Sequence, residues 1–562
     1  MRSRAALIAV VVLATPRFVE AFPGALDAFF GSSGRTTTEF GGNATARAVV
    51  LQPDGRVVAV GGVMTTDAST FALARYDTDG TLDSFFGTSG RVSTPFPDGA
   101  AEAFAGVVQP DGRVVAVGRS PAGFALARYD KRGSLDPFFG AGGRVTTSFG
   151  GDAAALGVAL QNDGRLVAVG GVSGRFALAR YDADGSLDPF FGSGGRVTTS
   201  FTGEATATAV AVQADGKIVT AGRASNGTRS NFVLARYDTD GTLDPFFGAG
   251  GRVVTSLAAD AEALALVLQP DGKIVVAGRA SDGVTSRFAL ARYDADGTLD
   301  PFFGSQGRVI TGFTGDAEVS ALVLQPDGKL IAVGGASTGG TGTFALARYD
   351  ADGTLDPFFG TVGRVTTSFG DDGEAHAAAL GTDGRLVAAG GVSLAGRGDF
   401  ALARYEAFTV CGDGDGDSVS ASDQGAQSGS QALCATATCL ATVNAPCIPQ
   451  APRGSQARPP SGGAGPASPP SSAGPPGQPV CRGGRLLRVL ERRVQRARAL
   501  IERSAAIDDI STARRLATRA ARLLRRVRRV SVWARQTGRL SSACAASLTE
   551  MLRAAEEHAG QL

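Results

Sequence analysis

The sequence predicts an all-β fold, a seven-bladed β-propeller, and three observations carry that prediction. First, the stretch FALARYDADGTLDPFFG (Phe288–Gly304) recurs with small changes from Phe71, Phe124, Phe176, Phe232, Phe288, Phe344 and, cut short, Phe400. From Phe176 onward the spacing is a constant 56 residues, the mark of one supersecondary unit repeated. Second, each unit holds four short strand-like runs with no helical period between them. Third, the repeat is out of phase with the chain. It begins with an orphan fourth run, Arg35 to Phe40, and ends on a third run, Phe400 to Tyr405, with no fourth after it. The orphan can complete the last blade and close a ring, whereas an open solenoid would need polar caps.

The unit beginning at Leu264 justifies each element in turn. LALVLQPDGKIVVAG is two apolar runs joined by Pro270-Asp271-Gly272, where Pro presets φ and Asp-Gly accepts the rest of a tight turn, so a hairpin is expected. The third strand, Phe288 to Tyr293, alternates Phe288, Leu290 and Arg292 on one face with Ala289, Ala291 and Tyr293 on the other. The fourth, Arg308 to Phe313, carries Thr and Ser at equivalent places in other copies, as suits an outer edge facing water. Between them, Asp300-Pro301 predicts an N-capped single helical turn that ends at Gly304. Phe302 and Phe303 are both expected to bury against neighbouring blades. These motif positions absorb 27 of the 31 Phe and all seven Tyr, so almost no aromatic side chain is expected to remain for a stacking surface.

QPDGKIVVAG, FALARYDADGTLD and FFGxxGRVTTSF together resemble the delta-60 repeat, a propeller-forming repeat of exported bacterial proteins, over about Leu26 to Phe408. The resemblance implies the fold and carries no catalytic residues with it.

A repeated residue serves the repeat, so a specific site is expected where the copies differ. The loops before each first strand and after each second strand lie on one rim and vary most, which makes that rim and the channel mouth the expected binding surface. Its candidate ligand-binding residues are Arg223, Arg229, Arg279, Arg287, Glu318, Glu374 and Arg397. No nucleophile motif, phosphate loop or zinc spacing is present, and His376, the one His of the propeller region, is expected to be an exposed loop residue. No catalytic residue is therefore assigned. Asp294, Asp296 and Asp300 are spaced somewhat like the start of a calcium loop, but Lys131-Arg132 replaces Ala-Asp in one copy and turn chemistry explains the pattern without metal.

Outside the repeats the composition changes. Arg2 and Arg4, the apolar run Ala5 to Ala14 and Val19-Glu20-Ala21 form a signal peptide over residues 1–21, too short to span a bilayer of roughly 20 apolar residues. The expected location is therefore secreted or at the cell envelope, with no transmembrane span in the mature chain. All six Cys (411, 434, 439, 447, 481 and 544) follow the repeats, as disulfides in an exported chain would. Residues 409–449 include CGDGDGDSVSASDQ, which resembles a degenerate dockerin-like calcium loop. Asp413, Asp415 and Asp417 fit its first ligand positions, and Asp423 closes it one residue early. Calcium there is the alternative to a cofactor-free chain. Residues 450–480 are a Pro/Gly/Ser-rich linker. Residues 481–562 carry 19 Arg, no Lys and 7 acidic side chains on helical apolar stripes, and read as a small basic helical domain. An anionic envelope surface is its expected partner, and nucleic acid is not. The function expected is a non-catalytic binding or scaffolding module for a protein or glycan. The alternative is a calcium-dependent binder or an enzyme working at the variable rim.

Overall fold

In the computed structural model, the structure describes residues 23–408 except 67, 258, 259 and 395. The expected signal peptide, the calcium-loop-like stretch with Asp413, Asp415, Asp417 and Asp423, the linker and the basic helical domain lie outside the described residues. The described residues form seven four-stranded antiparallel sheets, with no helix among them. Each sheet is a blade. In blade 1 the strands are Asn43–Leu51, Val57–Met64, Ser69–Tyr76 and Arg91–Thr94, running from the channel outward.

Blade 7 takes three strands from Gly373 to Glu406 and its fourth, Arg35–Thr38, from the other end of the propeller, with Arg35 opposite Ala403 and Thr38 opposite Phe400. The out-of-phase repeat thus closes the ring through backbone hydrogen bonds.

Blades stack through both faces of the third strand. Phe288 and Leu290 pack toward blade 6, whereas Ala289, Ala291 and Tyr293 pack toward blade 4. Tyr76 donates from its hydroxyl to Thr38 Oγ1 at 2.7 Å, and Tyr129 to Thr94 at 2.9 Å, so each Tyr latches the fourth strand of the preceding blade. The last Thr of that strand is therefore buried, and only its outward neighbours face water.

The innermost strand has the same irregularity in every blade. One extra residue bulges, at Arg47, Phe104, Leu156, Thr208, Leu264, Ser320 and His376. Facing the strand just before the bulge is a glycine of the second strand, Gly61 in blade 1 and Gly390 in blade 7. A Cβ there would lie 1.9 or 1.8 Å from the carbonyl oxygen of Thr45 or Glu374, so only Gly permits so close a pairing.

The connection after the third strand departs from expectation. Its Asp caps as predicted, Asp300 Oδ1 accepting from Phe302 N–H at 2.9 Å, but the cap opens a hydrogen-bonded turn and not a helix. Only the second Phe of each pair is buried. Phe247 is fully buried under the Arg236 guanidinium, 4.5 Å from its ring centroid, while Phe246 is 84% exposed. Phe302 is likewise exposed, so seven phenyl rings stand out on the rim opposite the variable loops and correct the expectation that almost no aromatic surface remains. The capped turn points consecutive side chains in opposite directions, which a motif read as a string of apolar residues does not show.

Phe247→Ala is expected to cost about 3–5 kcal/mol, the price of emptying an aromatic core site. Phe246→Ser should stay within about 0.5 kcal/mol of the parent. Urea denaturation of the two variants measures both, and equal losses would contradict this assignment of the pair.

Candidate functional site

Strand direction decides which side chains meet. First strands start, and second strands end, at one rim, so the channel mouth there is built from the first turns of seven innermost strands. One ring of side chains, two residues before each bulge, reads Thr45, Glu102, Ala154, Thr206, Glu262, Glu318 and Glu374. Directly opposite, the second strands supply Gly62, Arg119, Gly171, Arg223, Arg279, Gly335 and Gly391. Below them the bulged residues form the next ring. No repeat logic fixes these positions: they hold acid, hydroxyl, base and glycine, while the alanines between them stay buried.

The charges organise into a chain of ion pairs. Glu102 meets Arg119 at 3.1 Å and Arg47 at 3.7 Å. Glu262 meets Arg279 at 3.4 Å and Arg223 at 3.6 Å. Glu318 meets Arg279 at 3.3 Å, and Glu374 has no ion pair of this kind among the described residues. Arg47 Nη1 lies 3.2 Å from His376 Nε2; guanidinium always donates, so this nitrogen accepts and the imidazole is neutral. Burial, with Arg47 adding to it, pushes the His376 pKa down to about 3. Burial pushes the Glu318 carboxyl up to about 7; Arg279 opposes that shift, and the Glu374 and Glu262 carboxylates add to it. The Glu374 carboxyl is also raised, again by burial first, with Arg47 opposing and Asp372 adding.

Two cavities open at this mouth. One, of about 560 Å³, lies among blades 5, 6, 7 and 1 and is lined by Arg47, Glu318, Gly335, Glu374, His376 and Gly391 with serines around them. The other, of about 980 Å³, lies among blades 1 to 4 and is lined by Arg47, Glu102, Arg119, Leu156 and Thr206, among others.

The expected site residues divide. Arg223, Arg279, Glu318 and Glu374 come together at the mouth. Arg229 lies in an exposed turn, where Asn226 Oδ1 accepts from its backbone N–H at 2.9 Å. Arg287 pairs with Asp282 of its own loop at 3.0 Å, and Arg397 with Glu39 at 2.5 Å at the outer side of blade 7. Several rim carboxylates are stitches between blades: Asp316 accepts from Ser286 N–H at 2.7 Å and Asp372 from Gly342 N–H at 2.6 Å. Sequence reasoning placed Glu102 and Glu262 on the variable rim and missed Arg47 and Arg119 as members of the cluster. It also placed His376 in an exposed loop, whereas His376 is the bulged residue of a strand and faces the enclosed channel. The period was the available signal: Arg47 sits between Ala46 and Ala48 in its first strand, and Arg119 occupies the second-strand register of Arg223 and Arg279. Asp294, Asp296 and Asp300 do not form a ligand set. Asp294 pairs with Lys273, Asp296 caps Thr298, and Asp300 is held by Arg292 at 2.9 Å. Among the described residues no group of three or more His, Cys, Asp or Glu is placed to hold a metal.

Residues 52–86, 109–139, 161–191, 213–247, 269–303 and 325–359 match the family described as a domain of unknown function (DUF5122) beta-propeller, so the chain carries repeats of this type. No curated protein matches the chain. Among solved structures, a virginiamycin B lyase from Staphylococcus aureus is similar at 11% identity and a TM-score of 0.40, covering 66% of this chain and 98% of its own. A protein from Lactobacillus plantarum is similar at 15% identity and a TM-score of 0.40, covering 63% and 96%. Drosophila Plexin A in complex with Semaphorin 1b is similar at 8% identity and a TM-score of 0.39, covering 68% and 88%. At such identities and scores these likenesses bear on neither activity nor ligand.

The Glu318 carboxyl has a folded-state pKa of about 7 against an ordinary 4.5, so the folded protein holds that proton more tightly than the unfolded chain. The stability this contributes is present below the ordinary value and lost as pH rises through the raised one. Glu318→Gln is therefore expected to gain on the parent in urea midpoint as pH rises from about 4.5 to about 7, and to keep that gain above neutral pH. Parallel pH profiles for the two proteins would contradict the raised pKa of Glu318.

Proposed function

We propose that this chain is an exported, non-catalytic binding module whose ligand, a protein or glycan, docks at the variable rim and reaches into the channel mouth. The observation that carries this reading is the contrast between rings. The Tyr, Arg, Asp and second Phe that cement blades repeat seven times, whereas the mouth brings together Arg47, Glu102, Arg119, Arg223, Glu262, Arg279, Glu318 and Glu374 with no two blades alike across its three rings. A polar cavity with copy-specific charges is what a ring-shaped scaffold needs for one defined partner. In this reading residues 481–562, with their excess of Arg, hold the propeller at an anionic envelope surface.

Glycan and protein arrays probed with the full-length protein test it. Binding is expected to survive Phe246→Ser on the opposite rim and to fall by at least about tenfold when Arg279→Ala and Glu374→Gln are combined, since charged hydrogen bonds are removed. Hits that ignore the mouth variant and vanish with the opposite-rim variant would overturn the assignment of the rim.

A further inference from the structure

Seven phenylalanines stand on the rim opposite the variable loops, where each third strand gives way to the fourth. Phe29, Phe85, Phe138, Phe190, Phe246 and Phe358 are 81–84% exposed and Phe302 is 62% exposed. They hold one register of the repeat, so the closed ring sets them at one level. A single exposed phenylalanine needs no explanation. Seven do, because the exposed positions beside them change from copy to copy. The residue before the phenylalanine is Ala28, Ser84 or a proline, and the residue four after it is serine, glycine, Gln306 or Val362. The first phenylalanine stays in every copy, although the second of the pair is the one that fills the core. A large apolar side chain kept on the surface of every blade serves something outside the ring. Both ends of the described chain also reach this rim. Pro23 O accepts from Gly360 N–H at 3.0 Å, just past Phe359, and Ala407 and Phe408 N–H donate to Gly384 O at 2.9 and 3.2 Å in the hairpin turn of blade 7. Residues 409–562, with the Arg excess of 481–562, therefore continue from the phenylalanine rim and not from the channel mouth.

Charge selects the occupant. The same rim carries exposed carboxylates, among them Asp79, Asp184, Asp240 and Asp296, each capping the residue two on. A second copy laid rim to rim would set these carboxylates against one another. The surface of a zwitterionic lipid bilayer suits both groups: its outermost ammonium groups meet the carboxylates, and the apolar layer beneath takes the phenyl rings. A bilayer also has no register, so it accepts seven points at one level. We propose that the phenylalanine rim is a lipid-docking face, which lays the propeller on a bilayer of ammonium-bearing zwitterionic lipid with its phenyl rings in the interfacial layer and its channel mouth turned away. This rests on reading the chain as held at the envelope and adds the face that it presents there. The arginines of residues 481–562 answer the charge of anionic lipid, whereas the phenylalanines act by apolar burial, so salt and headgroup separate the two contributions.

The full-length protein is co-sedimented with vesicles of phosphatidylcholine alone, and of phosphatidylcholine with phosphatidylglycerol, at low and high salt. The parent is expected to bind phosphatidylcholine alone and to hold that binding in high salt. Replacing Phe29, Phe85, Phe138, Phe190, Phe246 and Phe358 together by Ser should leave the urea midpoint unchanged, since all six are exposed. The same change should lower partition onto phosphatidylcholine at least about tenfold, as the apolar contact of each ring is lost. Phe246→Trp reports on the face directly: its emission should be quenched by lipid brominated beside the headgroup, beyond any quenching of Trp533 in the parent. Equal partition of the parent and the Ser variant onto phosphatidylcholine, or no added quenching, would overturn the lipid assignment. If binding needs phosphatidylglycerol, vanishes in high salt and ignores the Ser variant, the envelope reading stands on residues 481–562 and this proposal alone falls. If neither vesicle is bound, both fall. Sedimentation velocity without lipid tests the other occupant: a dimer of the parent that the Ser variant dissolves would make this face an interface between copies and overturn its assignment to lipid.

Discussion

The interaction on which the ring depends is a buried carboxylate shared between two cations, repeated once per blade. In blade 1 it is Asp83, which meets Arg75 at 2.7 Å and Arg56 at 3.3 Å. Arg75 also donates to the carbonyl of Lys131 in the next blade at 2.5 Å and lies over the Phe86 ring at 4.5 Å. One side chain thus ties the third strand, the turn after it, the hairpin turn of its own blade and the backbone of its neighbour. Burying an ion pair costs desolvation, and the geometry answers that cost because nearly every donor and lone pair has a partner. Removing the carboxylate would strand a guanidinium inside the protein, which is why the motif tolerates so little change across the copies. Blade 7 shows the constraint most plainly. Arg404 finds its carboxylate in Asp27 at 2.6 Å and its ring in Phe30, so the same N-terminal segment that supplies the fourth strand also supplies the ion pair.

With blades cemented at the periphery, the inner strands are left to solve a different problem. Seven strands must approach one axis, and the side chains between neighbouring blades there are mostly alanine, with glycine opposite the bulge where backbone meets backbone. The bulge shifts the pairing by one residue and turns an extra side chain toward the channel. The consequence is functional as well as steric: every blade presents copy-specific positions to the mouth, outside the repeated motif that cements the periphery. Charge can vary there at little cost to folding.

Much of the architecture was legible because the relevant physics is local. Pro-Asp-Gly dictates a turn whatever surrounds it, Asp before Pro caps one, and the phase of the repeat specifies closure. What could not be read required knowing which way a side chain turns in three dimensions. The two phenylalanines of Phe246-Phe247 are chemically identical, and only the capped turn sends one into the core and the other into water. Tyr293 looked like core packing, yet its hydroxyl reaches Thr255 of the preceding blade at 2.9 Å. The rim was identified from strand direction, which picked out Glu318, Glu374, Arg223 and Arg279 correctly. Arg229, Arg287 and Arg397 were drawn in because they lie in the variable loops, but Arg229 stays in its exposed turn, Arg287 pairs within its own loop and Arg397 pairs with Glu39 beside the outer strand of blade 7. His376 was misplaced because a bulge leaves almost no trace in a single sequence: the alternation of Ala375 and Ala377 around it is the only hint.

Pseudo-symmetry supplies a control that most binding sites lack. In an ordinary cavity, a glutamate without a partner has no reference for what ought to sit beside it. Here the reference is one blade away. Arg279, across the blade boundary from Glu318, and Gly335, across it from Glu374, occupy the same backbone position on the same scaffold, so the difference between them is one side chain and its charge. The fold does not require the glycine, since Gly335 has an ordinary negative φ and the adjacent blade accepts arginine. The fold does not require the glutamate either, since Ala154 and Thr206 stand at its position elsewhere in the ring. Two departures from the repeat, neither demanded by packing, meet at one point of the channel mouth. That coincidence is the reason to place ligand recognition among the rings that vary and not in the motif that made the protein recognisable.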